Sequence, residues 1–337
     1  MKLYIGTLQP DRSYLPILYP HLGKIDKPQR PFFNFADSFQ EKLFELTDDP
    51  SEADYLFIPH DFFAVSSRTE YIKHFTDLAE RTGKQILIID QSDFDSDIHI
   101  PHSIIFRASR YKDQLKPNEI MMPPIIEDLG KNGITTRAKG NMPIVGFCGW
   151  AGFKTLKEKV KYAFKILSNM SVHKPGIYFR RSALRAASAS SRIKTNFIVR
   201  YAYSGHNETI ELSPEEARTQ YIENIVHTDF TLAPKGDGNY STRFFEVLSL
   251  GRIPVLIDTD CILPLEDEID YNDFIVRISY KDMARLGDII SERFNGYTDE
   301  SYKDAQLKAR NIFETKLNAP AFFKNVFKDA SFLSTYK

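Results

Sequence analysis

The chain has 337 residues, more than one hydrophobic core usually supports, so two domains are expected. Its 44 basic and 45 acidic residues leave a net charge of −1, which gives no support for wholesale binding to nucleic acid or to an anionic membrane. Cys148 and Cys261 are the only cysteines, too few for a disulfide framework, and their apolar neighbours predict buried thiols.

The first residues of the chain are of mixed polarity. The stretch MKLYIGTLQPDRSYLP has no apolar segment of the kind that a signal peptide carries. No run in the sequence approaches the roughly 18 apolar residues that a membrane span needs. These patterns predict a cytoplasmic protein without a membrane span, and they leave peripheral membrane association open.

Apolar strands alternate with helical stretches through the first part of the chain, which is typical of an α/β domain. The polar, glycine-containing residues 130–142 are typical of an interdomain linker, so the first domain is expected to span residues 1–135. The predicted strands are Lys2–Ile5, Asp54–Pro59, Gln85–Asp90 and Ser103–Arg107, and the predicted helices span about 36–46 and 68–82.

The alternation resumes after the linker and predicts a second α/β domain over residues 143–316. Residues 317–337 are a candidate for packing back on the first domain. The predicted strands are 143–148, 194–199, 229–233, 253–257 and 273–278, followed by helices over about 280–294 and 299–316.

One segment of the second domain, residues 229–257, joins two buried strands through a polar loop and a short helix. Ser241 or Thr242 is a suitable cap for this helix, and Gly251 is a suitable terminator. Strand, helix, strand units are right-handed, so the loop that begins at Lys235 is expected at the carboxyl edge of the sheet, where ligands bind.

The start of this helix is suited to an anion. Its backbone N–H groups carry partial positive charge, and Lys235 and Arg243 add full charges beside them. Glu246 shares a helix face with Thr242 and lies one turn further on, where the hydroxyls of a ribose would lie. The pattern fits a nucleotide diphosphate, although a glycine loop before an amphipathic helix is also a common plain connection.

The order of residues here is similar to the carboxyl-terminal signature of the exostosin family of glycosyltransferases, GT47. In that signature a strand and a Pro-Gly loop lead into a Ser-Thr-Arg-Phe-Phe-Glu helix and then Gly-x-Ile-Pro-Val. Three shorter stretches, 48–63, 143–152 and 194–200, also resemble blocks of the family. The matching residues of the signature are Phe230, Leu232, Pro234, Gly236, Ser241, Thr242, Arg243, Glu246, Gly251, Ile253, Pro254, Val255, Leu263 and Pro264.

The resemblance implies a GT-B fold, in which two Rossmann-like α/β domains face each other across a cleft. It also implies an inverting glycosyltransferase that needs no metal and transfers sugar from a nucleotide sugar, UDP-linked rather than GDP-linked, to a glycan hydroxyl. Synthesis of a surface or capsular polysaccharide is the expected context. The donor-binding candidates in the second domain are Arg181, Arg200, Lys235, Gly236, Ser241, Thr242, Arg243 and Glu246.

Two of these candidates come from a cationic part of the chain. The stretch 174–194 carries six Lys and Arg residues and no acid, and Arg181 belongs to it. Arg200 ends a predicted strand, at the edge where ligand-binding residues collect. Gly149 and Trp150, at the end of the first predicted strand of the second domain, are expected to line the cleft.

Inverting transfer needs a general base that takes the proton of the acceptor hydroxyl. His60 and Asp61 follow the predicted strand Asp54–Pro59, and Asp93 follows the next one, so each is expected in a loop that faces the cleft. Asp93 and Asp61 are placed ahead of His60, and the choice among the three stays open.

Three other interpretations stay open. Asp95-Ser96-Asp97 after an apolar strand resembles the metal-binding acids of a GT-A glycosyltransferase, but the strongest phosphate-type loop lies late in the chain. A fucosyltransferase that uses GDP-fucose would keep the same fold. A non-catalytic carbohydrate- or nucleotide-binding protein would also keep it, and Arg243 and Glu246 argue against that case.

Overall fold

A computed structural model of the chain describes residues 1–24, 38–168, 171–201, 212–328 and 330–336. Two parallel β-sheets form its framework, one of six strands and one of five. The strands are β1 (Lys2–Tyr4), β2 (Glu45–Leu46), β3 (Tyr55–Phe57), β4 (Ile86–Asp90), β5 (Ser103–Arg107), β6 (Glu119–Met121), β7 (Ile144–Trp150), β8 (Lys194–Arg200), β9 (Phe230–Ala233), β10 (Ile253–Asp258) and β11 (Val276–Ser279).

Helices and turns connect these strands. The α-helices are α1 (Tyr19–Leu22), α2 (Phe62–Val65), α3 (Thr69–Thr82), α4 (Leu156–Ser168), α5 (Gly176–Ala189), α6 (Pro214–Val226), α7 (Thr242–Ser249), α8 (Leu286–Asn295), α9 (Asp299–Ile312), α10 (Ala319–Lys328) and α11 (Ala330–Ser334). The helix predicted over about 280–294 is a 3-10 turn followed by α8, and the one predicted over 299–316 is α9 followed by a π-helical turn.

The first sheet has the order β2-β1-β3-β4-β5-β6, with every neighbouring pair parallel. All five residues of β4 and all five of β5 are buried, as expected for continuous apolar runs in the middle of a parallel sheet. The carboxyl ends of these two strands lead into the residues that matter for the site.

The second sheet has the order β11-β10-β9-β7-β8 and is also parallel throughout. Its strand order reverses between β7 and β9. Ligands of open α/β sheets bind in the crevice beyond the carboxyl ends of strands at such a reversal. Trp150 ends β7 and the loop from Lys235 to Ser241 follows β9, so these residues flank that crevice.

The last helices of the chain pack on the first sheet. Phe322, Phe323 and Phe327 of α10 are buried in one cluster with the apolar residues of β1, β3, β4 and β5. The ring centroid of Phe323 lies 5.3 Å from that of Phe106, and Phe327 lies 5.6 Å from Phe44. We call β1–β6 with α10 and α11 the first unit, and β7–β11 with α4–α9 the second unit.

The connection over residues 130–142 lies against the second unit. The backbone N–H of Arg137 donates to Gln306 of α9 at 2.8 Å, and the Gln306 amide donates back to the Arg137 carbonyl at 2.9 Å. The Arg137 guanidinium also donates to buried Asp229 at 2.8 Å. Arg137 therefore anchors the middle of this otherwise largely exposed segment on the second unit.

The prediction of a helix over about 36–46 is wrong for residues 38–46, which the structure describes. Residues 36 and 37 lie outside the described residues, residues 38–44 form no helix, and Glu45–Leu46 form the edge strand β2. Phe39 and Phe44 are buried in the first core, and their spacing of five does not follow a helical stripe.

The fold class predicted from the sequence is confirmed: two Rossmann-like parallel α/β units face each other across a cleft, in the GT-B manner. Among the residues that the structure describes, none of the helices has both the length and the apolarity to cross a membrane.

Candidate active site

A cleft of about 750 Å³ lies between the carboxyl edges of the two sheets. The first unit lines it with the segments after β4 and β5, and the second unit with the start of α5 and the loop after β9. Its lining residues are Phe63, Gln91, Ser92, Asp93, Phe94, Asp95, Ser109, Tyr111, His173, Lys174, Pro175, Lys235, Asp237, Gly238 and Asn239.

The β9–α7 loop, residues 235–241, reaches across the cleft to the first unit. The backbone N–H of Asn239 donates to Ser109 Oγ at 2.8 Å, and that of Gly238 donates to Asp93 Oδ1 at 3.3 Å. A Cβ at Gly238 would lie 2.9 Å from Ser109 Oγ and 3.0 Å from Asp93 Cα, so this approach requires glycine. The loop therefore brings the two walls of the cleft into contact.

The start of α5 packs against the same loop. A Cβ at Gly176 would lie 2.0 Å from the Gly236 carbonyl oxygen and 2.6 Å from that of Lys235. Backbone atoms fill the space in front of Gly176, so no side chain can be accommodated without moving the loop. The Gly236 N–H closes the loop by donating to the Tyr240 carbonyl at 2.8 Å.

Helix α7 begins close to its predicted start. Ser241 precedes it in an extended conformation, φ −137° and ψ 115°, and its side chain makes no capping hydrogen bond. At the other end Gly251, with φ 60°, donates to the Leu248 carbonyl at 2.9 Å, and Arg252 donates to Val247 at 3.0 Å. This pair of bonds is a Schellman motif, so Gly251 ends the helix for the reason predicted.

Arg243, in the first turn of α7, lies across the end of β7. Its Nη2 donates to the Cys148 carbonyl at 2.8 Å, and its guanidinium lies 4.4 Å from the Phe147 ring centroid and 5.7 Å from that of Tyr221. A Cβ at Gly149 would lie 2.6 Å from Nη2, so this glycine makes room for the arginine. The buried Nε of Arg243 has no hydrogen-bond partner among the described residues.

Glu246, one turn further along α7, is already paired. Tyr221 donates its hydroxyl to one carboxylate oxygen at 2.5 Å, and Arg218 donates to the other at 3.0 Å. Burial and the neighbouring Glu246 carboxylate raise the pKa of Tyr221 well above its usual value. The carboxylate thus joins α7 to α6, and each of its oxygens keeps a lone pair for a second donor.

Lys235 does not present a free ammonium to the start of α7. Its Nζ is buried and donates to the Tyr111 hydroxyl at 2.7 Å and to the Val172 carbonyl at 2.6 Å. Burial lowers the pKa of this ammonium to about 8, against a weaker opposing effect of Asp95. Lys235 thus lines the cleft as a donor-binding candidate, but its ammonium is held by Tyr111 and Val172 instead of being free beside the helix start.

The other two predicted arginines have different positions. Arg181 of α5 is exposed, donates to the Ala151 carbonyl at 2.9 Å and stacks on Phe153 at 5.0 Å. Arg200 is buried at the end of β8, and its Nη2 donates to the Ala217 carbonyl of α6 at 2.9 Å. Arg200 is thus directed into α6. The structure does not present it for the direct donor contact that was expected.

Arg180, which the sequence did not single out, acts electrostatically on Asp93 of the first unit. Its guanidinium lies 5.9 Å from the Trp150 ring centroid, and its charge lowers the pKa of Asp93. Trp150 is half-buried, donates Nε1–H to the Gly152 carbonyl at 2.8 Å and packs on Tyr162 at 5.5 Å. A run of basic residues does not reveal which of them acts on Asp93, because the rotation of α5 is set by packing.

Asp93 lines the cleft directly. Burial, and then the nearby Asp237 carboxylate, raise the pKa of Asp93, while hydrogen bonds from Tyr240 and Gly238 and the charge of Arg180 oppose the rise. A carboxyl group with a raised pKa is a better proton acceptor than an ordinary exposed aspartate. Of the three predicted bases, this is the one among the cleft-lining residues.

The other two predicted bases serve the framework. Asp61 caps α2 by accepting from Phe63 N–H at 3.0 Å, and accepts from Gln91 N–H at 3.0 Å. Burial and the neighbouring Asp90 raise its pKa to about 6. His60 is fully buried between Gln9 and the Ser13 carbonyl, so the expectation that it faces the cleft is wrong.

Two buried arginines hold the segment that carries Asp93, residues 91–97, which we call the acid loop. Arg107 donates to the Phe94 carbonyl at 3.0 Å, and Arg110 donates to the Asp95 carbonyl and to the Asp97 carboxylate. Glu119 pairs with both guanidiniums, at 2.8 and 2.9 Å. Asp97 is therefore committed to an arginine, which leaves Asp95-Ser96-Asp97 a poor pair of metal ligands. Within the described residues no three potential metal ligands cluster.

The chain was compared with known families and proteins. The Exostosin GT47 domain matches residues 169–292, which include the β9–α7 loop and α7. An exostosin-1 homolog of Caenorhabditis elegans is 28% identical over 105 residues, which are 31% of this chain and 26% of that protein. A protein named as a probable beta-1,4-xylosyltransferase of Arabidopsis thaliana is 34% identical over 85 residues, 25% of this chain and 20% of the relative. The chain thus spans about a quarter or less of the length of these relatives.

Two solved structures are similar over most of the chain. HepE of Anabaena, solved in complex with UDP and glucose, has a TM-score of 0.40 at 8% identity and covers 98% of this chain and 99% of its own. A glycosyltransferase from Rickettsia africae has a TM-score of 0.40 at 12% identity, over 85% of this chain and 77% of its own. The domain match alone confirms the resemblance of this sequence to the exostosin family, over residues 169–292.

Proposed function

We propose that the protein is an inverting glycosyltransferase that transfers sugar from a nucleoside-diphosphate sugar to a hydroxyl of a glycan acceptor. One observation carries the proposal: the segment that matches the exostosin domain supplies one wall of a cleft whose other wall presents Asp93. The two walls are in contact through Gly238 and Asp93. A base and an anion site on facing walls are what direct displacement at an anomeric carbon needs.

The diphosphate of the donor would lie at the start of α7. Ser241 leaves the first N–H groups of the helix without a side-chain cap, and the helix dipole favours an anion there. Arg243 contributes a charge within the same turn, and a phosphate oxygen would satisfy its buried Nε. Arg181 contributes a second cation from α5. These groups would neutralise charge as the nucleoside diphosphate leaves.

Asp93 is the proposed general base. Its carboxylate takes the proton of the acceptor hydroxyl while that oxygen bonds to the anomeric carbon. The bond from this carbon to the diphosphate oxygen breaks on the opposite side, and the nucleoside diphosphate leaves with the electron pair. Attack opposite the leaving group inverts the anomeric configuration. Glu246 would accept a hydrogen bond from the nucleoside beside Tyr221 and Arg218.

The donor base and the biological context rest on the family resemblance. UDP is proposed ahead of GDP, and a surface or capsular polysaccharide is the proposed product. No step of the proposed reaction is assigned to a metal ion, because Arg243 and Arg181 are the groups proposed to act on the leaving group. A GDP-fucose-dependent enzyme and a non-catalytic binding protein are the alternatives that the test separates.

The test is a donor panel of UDP-sugars and GDP-sugars, with release of nucleoside diphosphate and the anomeric configuration of the product as measurements. We expect turnover of a UDP-sugar, with inversion, that persists in excess EDTA. Loss of turnover in EDTA would instead support the metal-dependent alternative. Binding of a nucleotide without any release of diphosphate would support a non-catalytic protein and contradict the proposal.

Two substitutions test the residues. Asp93→Asn is expected to lower kcat by roughly a hundredfold or more, the usual contribution of a general base, with little change in nucleotide affinity. Arg243→Ala is expected to weaken nucleotide affinity as well as turnover. Asp48→Asn, at an exposed site outside the cleft lining, is the matched control. Full activity of Asp93→Asn would remove Asp93 from the mechanism.

A further inference from the structure

Helix α4 turns an apolar stripe to the solvent. Four large apolar side chains on it are highly exposed: Leu156 at 75%, Val160 at 62%, Phe164 at 74% and Leu167 at 83%. Their spacing of four, four and three residues places them on one face of the helix, one above the other. Apolar side chains are often exposed singly, but a contiguous stripe of this kind marks a contact surface.

The opposite face of α4 packs against the rest of the second unit. Glu158, Tyr162 and Ile166 are half-buried and lie at the same helical spacing. The Tyr162 ring packs on Trp150 at 5.5 Å and on Phe153 at 5.2 Å. The helix is therefore seated through this face, and the stripe points directly away from the second unit.

Lysines flank the stripe. The helix carries Lys157, Lys159, Lys161 and Lys165 against one acid, Glu158. At 100° per residue Lys157 borders the stripe and Lys161 and Lys165 follow on the same side, while Lys159 lies on the other side. An apolar stripe with ammonium groups at its borders is the pattern of a helix that lies in the interface of an anionic membrane.

We propose that α4 docks the protein on an anionic lipid surface, with the stripe inserted among the acyl chains and the lysines at the level of the headgroups. Charge complementarity decides for lipid over an apolar protein partner, because a hydrophobic protein groove would have to bury or exclude the ammonium groups. Each lysine near such a surface adds electrostatic attraction, because its flexible stem lets the ammonium reach the anionic headgroups. The near-zero net charge of the whole chain conceals this local excess.

The position of α4 gives the docking a consequence for the site. The helix rests on Trp150, at the end of β7, and Asp237 of the β9–α7 loop and Arg180 both act electrostatically on Tyr162. A membrane bound to the outer face of α4 would therefore lie about one helix diameter, roughly 10 Å, from the Trp150 side of the helix. Substrates carried in that membrane would meet the cleft at short range.

The test is flotation of the full chain with vesicles of phosphatidylcholine alone or mixed with phosphatidylglycerol. We expect binding to the anionic vesicles and little to the neutral ones, with binding that falls as salt rises. The double variant Leu156→Ser/Phe164→Ser is expected to weaken partitioning by roughly tenfold or more, since two inserted side chains are lost. Its matched control is Leu115→Ser/Leu307→Ser, which alters exposed leucines elsewhere, 41% and 44% exposed, and should bind as the unaltered protein does.

A charge variant tests the role of the lysines separately from that of the apolar stripe. Lys157→Gln/Lys161→Gln/Lys165→Gln is expected to weaken binding to the anionic vesicles by roughly a hundredfold, at about one kcal/mol per lysine. The matched control replaces three exposed lysines of other surfaces, Lys42, Lys112 and Lys303, by Gln. Equal losses in the two triple variants would show that overall charge matters and α4 does not, which would overturn the proposal.

A fluorescent label reports insertion directly. Both native cysteines are buried, so a thiol-reactive, environment-sensitive dye can be attached selectively to Phe164→Cys, and to Leu307→Cys as the control. We expect a blue shift on anionic vesicles at position 164 alone. Unshifted emission at 164, or loss of self-association rather than of vesicle binding in the Leu156→Ser/Phe164→Ser variant, would identify the stripe as a protein contact and overturn the proposal.

Discussion

The two walls of the cleft are held in different ways. The acid loop is fixed from inside its own unit, by Arg107 and Arg110, both about 1% exposed or less, and by the Glu119 carboxylate between them. The β9–α7 loop is held by both units, by Ser109 and Tyr111 of the facing unit and by Val172 and Thr259 of its own. The support of the acid loop is thus internal to its unit, whereas that of the β9–α7 loop is shared across the cleft.

Under the proposed mechanism, this difference suits the two walls to different tasks. A base must be held at one position relative to the acceptor, and a fully paired buried ion cluster supplies that rigidity. A loop that cradles a departing diphosphate must change its contacts during turnover, and hydrogen bonds across a cleft can be exchanged for bonds to a ligand. The acid loop therefore corresponds to a prearranged element, and the β9–α7 loop to a responsive one.

The largest effect is expected from breaking the internal support of the acid loop. Glu119→Ala leaves two guanidiniums buried without their carboxylate, which should lower the free energy of unfolding by about 3–5 kcal/mol. Urea denaturation followed by circular dichroism measures it. Glu52→Ala, which removes an exposed partner at 3.7 Å from Lys2, should change it by less than about 1 kcal/mol. If Glu119→Ala does not fold, Glu119→Gln gives the same comparison, and an unchanged midpoint would refute the internal support.

The next effect concerns Asp61, which tethers the start of the acid loop through Gln91. Its pKa is about 6 in the folded state and 3.8 in a free aspartate, so the folded state binds this proton more tightly. Stability is then expected to fall as the pH rises from about 4 to about 6, by roughly 2–3 kcal/mol. Asp61→Asn should remove that fall, because the amide does not titrate. The control Asp48→Asn, at an exposed site, should keep it, and a fall that persists in Asp61→Asn would assign it to other groups.

A third test sharpens the comparison from the side of the β9–α7 loop. Gly176→Ala would place a methyl group 2.0 Å from the Gly236 carbonyl oxygen, so the loop must move. We expect a loss of about 1–3 kcal/mol in stability and a clear loss of nucleotide affinity. Gly140→Ala, at a position with open space around it, should change neither. Thermal unfolding with and without UDP measures both quantities, and normal nucleotide affinity in Gly176→Ala would separate the loop from the donor site.

The smallest effect is expected at the contact between the walls. Ser109→Ala removes the acceptor of the 2.8 Å bond from Asn239 N–H and should cost about 1 kcal/mol. Ser66→Ala, which removes an exposed bond to the Phe63 carbonyl, is the matched control and should cost less. A change in nucleotide affinity with Ser109→Ala but not with Ser66→Ala would establish that the contact shapes the loop.

Strands and the main helix of the site were predictable because their signals are local. The strand Ser103–Arg107 was predicted with the bounds that the structure has, and α7 differs by one residue at its end. Buried parallel strands have continuous apolar runs, and a Schellman end needs a glycine, so sequence alone reveals both. The prediction of a helix over 36–46 was wrong because Phe39 and Phe44 are buried by aromatic partners distant in the sequence, not along one face of a helix.

The position of the β9–α7 loop could be predicted from the sequence, but the side chains that contact its residues could not. The sequence places Lys235 beside α7, but its ammonium is held by Tyr111, more than 100 residues away along the chain. The effect of Arg180 on Asp93 was missed because the directions of the α5 side chains are set by tertiary packing. Helix α4 was missed because its apolar stripe faces outward, against the rule by which buried faces are recognised.

The packing of α10 on the first sheet has a consequence for how the molecule is made. Phe106 of β5 and Phe323 of α10 share one core although about two thirds of the chain separates them. During synthesis from the ribosome, the first sheet emerges early and must wait, with an apolar surface uncovered, until residue 327 has been added. The second unit can be completed in the meantime, so assembly is expected to run from the middle of the molecule outward. A chain that ends at residue 318 is therefore expected to leave the apolar surface that α10 covers exposed.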